Sequence, residues 1–206
     1  MDTKSRIVDI PVTGKPKKRA TGIVGLNLLL DGGFPQGTVI MVYGTALSGL
    51  DLAAMQFWNV EGEEGTYLMN DGDVETGMVD ATELHPEMYL PQMIGGRIVI
   101  DSLSTIIIKY GIDGALKFLR LAREEIKKRG ANMMFVVYTN VHTPVDMTRI
   151  MRVADIVIEF KTEIQQNELE RTLAVHKIRD SAAPQRLLPF IITDNGIEAS
   201  TTSRVV

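Results

Sequence analysis

Short apolar runs alternate with longer amphipathic segments over most of the chain, and that order predicts a β, α, β, α layout before any motif is considered. Residues 38–43, Thr-Val-Ile-Met-Val-Tyr, form an apolar run bounded by Gly37 and Gly44, the pattern of a strand buried on both faces of a parallel sheet. Residues 50–60 are too long and too rich in Ala and Met for a second strand and read as a helix. Further strands are predicted at 66–69 and at 97–100, the latter ending in Asp101. The clearest helix is 112–129: Ala115, Phe118, Leu119, Ala122 and Ile126 fall on one stripe, Glu124 and Lys128 pair at i,i+4, and Gly130 stops it. A fourth strand fits 132–138. After 156 the texture changes to strands at 156–160, 172–178 and 187–193 separated by polar turns, which predicts an antiparallel end. The expected fold class is α/β, with a mostly parallel central sheet flanked by helices and antiparallel C-terminal strands. Residues 1–20, with Pro11, Gly14 and Pro16 among Lys15, Lys17, Lys18 and Arg19, read as an extended arm, and 21–206 as a single domain.

Composition narrows the function. With 206 residues, 45% hydrophobic and 23% charged, the chain has enough apolar side chain to fold and enough charge to stay in solution. No run approaches the roughly 20 apolar residues of a membrane span, and the first residues lack the apolar core of a signal peptide, so a cytoplasmic protein with no membrane partner is expected. The absence of cysteine excludes disulfides, thiolate metal sites and cysteine nucleophiles. A net charge of −4 weakly repels polyanions, so nucleic acid is not the expected partner.

In an open parallel sheet, ligands bind at the carboxyl ends of the strands, which directs attention to the segment after Tyr43. It reads Gly44, Thr45, Ala46, Leu47, Ser48, Gly49, Leu50, Asp51. The G-x-x-x-x-G spacing occurs three times in the chain, but only Gly44/Gly49 lies between a buried strand and a helix, the context a phosphate loop needs. A working loop continues with Lys and then Ser or Thr, for the phosphates and Mg²⁺. Here those places hold Leu50 and Asp51, a local change of two charge units. At ~4–6 Å and an effective dielectric of ~20, each unit is worth roughly 3–4 kcal/mol per phosphate charge before screening. Tight binding of ATP·Mg is not expected. As a plain strand-to-helix turn, the same segment would place Asp51 in the first helical turn, where its charge suits the dipole.

The stretch Thr21-Gly22-Ile23-Val24-Gly25-Leu26-Asn27, followed by Gly32-Gly33-Phe34-Pro35-Gln36-Gly37, resembles the opening of KaiC-like ATPases in the RecA superfamily. The likeness continues through Gln56-Phe57, the Walker B-like strand 98–100 with Asp101, the stretch 154–158 and residues 171–179. The resemblance implies a nucleotide loop at Gly44, Thr45, Ser48, Gly49, Leu50 and Asp51 in degenerate form. It implies a metal-orienting role for Asp101 in an active relative, against which the bland alternative is that Asp101 caps the following turn. The family's catalytic Glu pair would follow the second strand; here Asp71 is the nearest, shorter substitute, and 71–97 looks trimmed. With lysine, hydroxyl and base all altered, the resemblance implies a pseudo-ATPase, regulatory or signal-transducing, with no catalytic residues, no metal and no expected cofactor beyond weak ATP or ADP binding. Lys177 and Arg179 match the K-x-R that in KaiC-like hexamers reaches the adjacent subunit's nucleotide. A protein partner is implied, in a homo-oligomer or a mixed ring with an active paralogue. The alternatives are an active ATPase using Asp71 or Asp73 as base, and a recombinase-paralogue DNA-binding protein; the segment 139–146 lacks the basic and aromatic residues of a strand-tracking surface.

The remaining chemistry-bearing residues carry less. His85, His142 and His176 have no metal-ligand spacing and are expected to be ordinary polar positions. Ser102 and Ser104 lack a nucleophile elbow. The basic run 15–19 reads as a solvated arm.

Overall fold

A computed structural model describes residues 17–200. Residues 1–16, most of the expected arm, lie outside the described residues. The strand β1 (Lys18–Arg19) pairs antiparallel with β2 (Phe34–Pro35), and the helix α1 (Val24–Leu29) lies between them. Lys18 and Arg19, which the sequence assigns to a solvated arm, are therefore anchored. The Lys18 ammonium donates to the Leu30 carbonyl at 2.6 Å, and Arg19 pairs with Glu63 and donates to Asn132 Oδ1 at 2.7 Å. Lys17 is tied in as well, its carbonyl accepting from Gln36 N–H at 2.9 Å, so the described part of the basic run is not a free arm.

Beyond this clasp come β3 (Val39–Gly44), α2 (Leu50–Trp58), β4 (Gly65–Met69), the short β5 (Val79–Asp80), a one-turn α3 (Tyr89–Gln92) and β6 (Arg97–Asp101). They are followed by α4 (Leu103–Arg129), β7 (Asn132–Tyr138), α5 (Pro144–Val153), β8 (Ile156–Gln165), β9 (Glu168–Ile178), β10 (Leu188–Thr193) and β11 (Gly196–Ala199). The nine-stranded sheet has the order β11-β10-β9-β8-β3-β7-β6-β4-β5. From β8 to β5 all neighbours are parallel, and from β8 outward to β11 all are antiparallel. The expected α/β architecture is observed, including the antiparallel end.

Strand β3 lies in the parallel part of the sheet with core on both sides. Val39, Met41 and Tyr43 pack into one apolar layer with α4, while Ile40 and Val42 face a second layer with Leu26, Ala54 and Phe57. Burial on both faces explains why its sequence is a continuous apolar run without alternation.

Two elements depart from expectation. The predicted helix over 112–129 is observed, but a further helical stretch from Leu103, not expected from the sequence, precedes it, and the two meet at Gly111, whose φ 74° and ψ 164° are non-helical. Helix α5 was not anticipated: it opens on Pro144 with the Thr143 hydroxyl accepting from Asp146 N–H, and buries only Ile150 fully. The stretch between β4 and β6 forms β5 and α3. Among the described residues no helix is long and apolar enough to cross a membrane.

Candidate functional site

The loop from β3 to α2 sits at the carboxyl end of the parallel strands, where the sequence places it. Gly44 has no room for a side chain: a Cβ there would lie 2.4 Å from both the Phe160 carbonyl oxygen and Ser48 Oγ. Gly49 adopts φ 81° at the N-cap of α2, a left-handed conformation that favours glycine. Between them the loop closes on itself, with Ser48 Oγ donating to the Thr45 carbonyl at 2.7 Å and Ser48 N–H to the same oxygen at 3.1 Å. Thr45, Ala46 and Leu47 are exposed, and Ser48, Gly49 and Leu50 are buried.

At the position where a phosphate loop needs its cation, the Leu50 side chain is 1% exposed and belongs to the apolar layer that holds Ala53, Ala54 and Phe57. Asp51 is exposed in the first turn of α2.

The neighbouring strands add carboxylates. Asp101 ends β6 and is 3% exposed; its Oδ2 accepts from the Tyr67 hydroxyl at 2.6 Å, and its Oδ1 is buried without a partner. Burial pushes its pKa up to about 6, Asp71 and Asp51 push in the same direction, and only the Tyr67 hydrogen bond opposes them. The same charges raise the Tyr138 hydroxyl, for which burial is again the main cause. Asp51, Asp71 and Asp101 thus act on one common space beside the loop.

Asp101 does not cap the turn that follows it, correcting one of the sequence expectations. That work falls to Ser102, whose Oγ accepts from Thr105 N–H at 3.3 Å. Asp71 is also engaged: its Oδ2 accepts from Ser102 Oγ at 2.7 Å and from the Thr105 hydroxyl. Asn70 ties β4 to the end of β6, with its Oδ1 accepting from Ser102 N–H at 2.6 Å and its Nδ2 donating to Ser102 O at 3.0 Å.

These residues do not fit ATP·Mg. The lysine position is part of the core, and the hydroxyl position carries a negative charge. Among the described residues, no group of three His, Asp or Glu is arranged to hold a metal ion. The three histidines engage separate partners: His85 accepts from Glu87 N–H, His142 Nε2 bonds Ser104 Oγ at 2.8 Å, and His176 pairs with Glu159. Ser104, buried, also accepts from Tyr138 N–H at 2.9 Å, so the pair pins the loop after β7 to the start of α4.

Lys177 and Arg179 lie at the opposite end of the sheet, because β9 runs antiparallel to β8 and Ile178 sits opposite Ile156. Neither is a free surface cation. Lys177 donates to the Met151 and Ala154 carbonyls at 2.9 and 2.6 Å, capping α5, and burial lowers its pKa. Arg179 pairs with Asp155, which also accepts from Arg123 at 2.8 Å and from Val39 N–H at 3.0 Å. Asp155 and Arg179 stand out in the sequence only as parts of separate blocks; their joining in one hub is not legible there, because its members are up to 116 residues apart.

Comparison with known proteins places the fold. A family described as "ATPase: KaiC" matches residues 80–203, a span that contains Asp101, Lys177 and Arg179. The DNA repair and recombination protein RadB of Pyrococcus abyssi is 25% identical over 86% of this chain and 92% of its own length. The crystal structure of a KaiC-like protein from Pyrococcus horikoshii OT3 superposes with a TM-score of 0.74 at 19% identity, covering 90% of this chain and all of that one. With its parallel sheet, its glycine-framed loop after β3 and a family match over more than half of its length, the chain belongs to the KaiC ATPase family.

Proposed function

We propose that this chain is a KaiC-family subunit that does not hydrolyse ATP and works through protein contacts, as a regulatory or scaffolding member of an assembly. The observation that carries this reading is Leu50: the side chain at the cation position is part of the hydrophobic core, so the loop has no charge to offer a triphosphate. Asp51 adds repulsion, and Asp71, in the place of the base, is held by two hydroxyls. In this reading Gly44, Thr45, Ser48 and Gly49 keep the frame of a nucleotide loop, and Asp101 is what remains of its metal-orienting carboxylate.

Lys177 and Arg179 lie too far along the sheet to serve their own loop, which supports a role toward a neighbouring subunit. To take it they would exchange the α5 carbonyls and Asp155 for a neighbour's γ-phosphate. A mixed ring with an active family member gives them that target. Mixing the protein with active relatives and measuring their ATPase rate tests this: stimulation lost on Lys177→Ala and Arg179→Ala is expected, and stimulation untouched by both changes overturns the finger role.

The RadB relative favours a second reading, a recombination paralogue that contacts DNA. Fluorescence anisotropy with labelled single-stranded DNA separates the two; salt-sensitive binding at physiological ionic strength supports the second.

A further inference from the structure

At the amino-terminal end of the sheet, opposite the loop after β3, lies a cavity of about 830 Å³. It falls within the roughly 300–1,000 Å³ of small-molecule sites. The segment from α1 to β3, the last turns of α4 and the turn after β9 wall it, and Ile156 and Ile178, paired across β8 and β9, border it on the side of the sheet. With Leu29, Leu30 and Pro184 they give it an apolar lining.

The charges in that lining do not cancel. Lys18 pairs with Asp31 at 3.6 Å, which leaves Arg123, Lys127 and Arg179 against Asp155 and Asp180, three cations to two carboxylates. Asp155 is the shared anion of the two arginines: its side chain is 5% exposed and accepts from Nε and Nη2 of Arg123 and from Nε of Arg179. The arginine side chains are 33% and 37% exposed, and among the described residues neither Nη1 has a hydrogen-bond partner. Lys127, one turn along α4 from Arg123 and on the same face, is exposed and makes no ion pair among the described residues. Lys177 stands outside the lining with its ammonium on the α5 carbonyls, so it adds positive charge nearby but no donor. Two guanidinium groups with a free nitrogen and one ammonium, beside an apolar wall, are the donors for an anion that carries an apolar body.

We propose that this cavity binds a small organic monocarboxylate, with its apolar body against Leu29, Ile156 and Ile178 and its carboxylate among Arg123, Lys127 and Arg179. One negative charge balances the surplus. Each further charge, as on the phosphates of a nucleotide, would face Asp155 and Asp180 without a cation to match it. A carboxylate also matches the donor geometry of a guanidinium. The site uses no residue of the loop at Gly44–Asp51, so it does not depend on the pseudo-ATPase reading. It does share Arg179 with the finger role, and a bound carboxylate would hold that guanidinium on its own subunit, out of a neighbour's reach.

Isothermal titration of the full chain with sodium octanoate tests it, with octanol and octylammonium as the same body uncharged and oppositely charged. Octanoate is expected to bind saturably, one per chain, and the two controls more weakly by roughly tenfold or more. Lys127→Glu, at an exposed position, should weaken octanoate by roughly tenfold. Ala182→Trp, in the lining, should abolish binding by filling the cavity, and should that chain fail to fold by circular dichroism, Lys127→Glu decides alone. The chain with Leu50→Lys and Asp51→Thr should bind octanoate as the native chain does, which separates this site from the loop. The absence of saturable octanoate binding overturns the inference. So does octanol binding with equal affinity, or an octanoate affinity left unchanged by either cavity substitution in a folded protein.

Discussion

Strand β6 is five residues long and carries a buried ionisable group at each end, and the two ends have opposite character. At the start, Arg97 is fully buried, donates to the Ala20 and Phe57 carbonyls at 2.8 and 2.9 Å, pairs with Glu63 at 2.9 Å and lies over the Phe57 ring. At the finish, Asp101 is as deeply buried but has one hydrogen bond and faces two further carboxylates. The first end is a network that joins β1, α2 and β6 and leaves only Arg97 Nε without a partner; the second has a single hydrogen bond to set against two nearby carboxylates. A buried charge stabilises a fold only where partners replace its water. The end rich in partners is scaffold, and the end poor in them lies beside the loop after β3.

Removing the two charges should therefore move stability in opposite directions. Arg97→Leu leaves two carbonyls without their donor and Glu63 with Arg19 alone, and is expected to cost about 3–5 kcal/mol in urea unfolding. Asp101→Asn should instead stabilise. The Asp101 pKa in the folded protein lies above its unfolded value, so the fold is not penalised below about pH 4, is increasingly penalised as pH rises from 4 to about 6, and carries a constant penalty above that. The variant should gain on the order of 1–3 kcal/mol at pH 8, and the gain should shrink to nothing on acidification to pH 4. A pH-independent gain would show that side-chain packing, not ionisation, is responsible. A smaller effect is expected for Ser102→Ala, which removes the N-cap of α4 and one of the bonds to Asp71: a loss of about 1 kcal/mol, read as a shift in the unfolding midpoint.

How much of this was legible in the sequence depends on the distance over which each feature is determined. Strand β7 was readable to the residue because its apolar run is a local property, and so was the loop at Gly44–Asp51, whose glycines and missing lysine are adjacent in the chain. Helix α5 was not readable, since Met147, Ile150 and Met151 alternate with arginines and a leading proline, and only Ile150 is fully buried. The site's electrostatics were hidden for a different reason. Tyr67 reaches Asp101 across 34 residues and Asp155 reaches Val39 across 116, pairings that exist only once the strands lie side by side. The Ala-Asp-Ile stretch at 154–156 was visible as a block shared with the family, but its work of holding Arg123 and Arg179 was not.

Isothermal titration with Mg·ATP, run on the native chain and on the double substitution Leu50→Lys with Asp51→Thr, tests most directly whether the loop is a frame without its charges. The native chain should give no saturable heat and no phosphate release, while the substituted chain, which keeps Gly44 and Gly49, should acquire measurable affinity. Sub-micromolar binding with turnover by the native chain would contradict the account, and a folded double variant that binds nothing would show that the loop backbone is not shaped for phosphate.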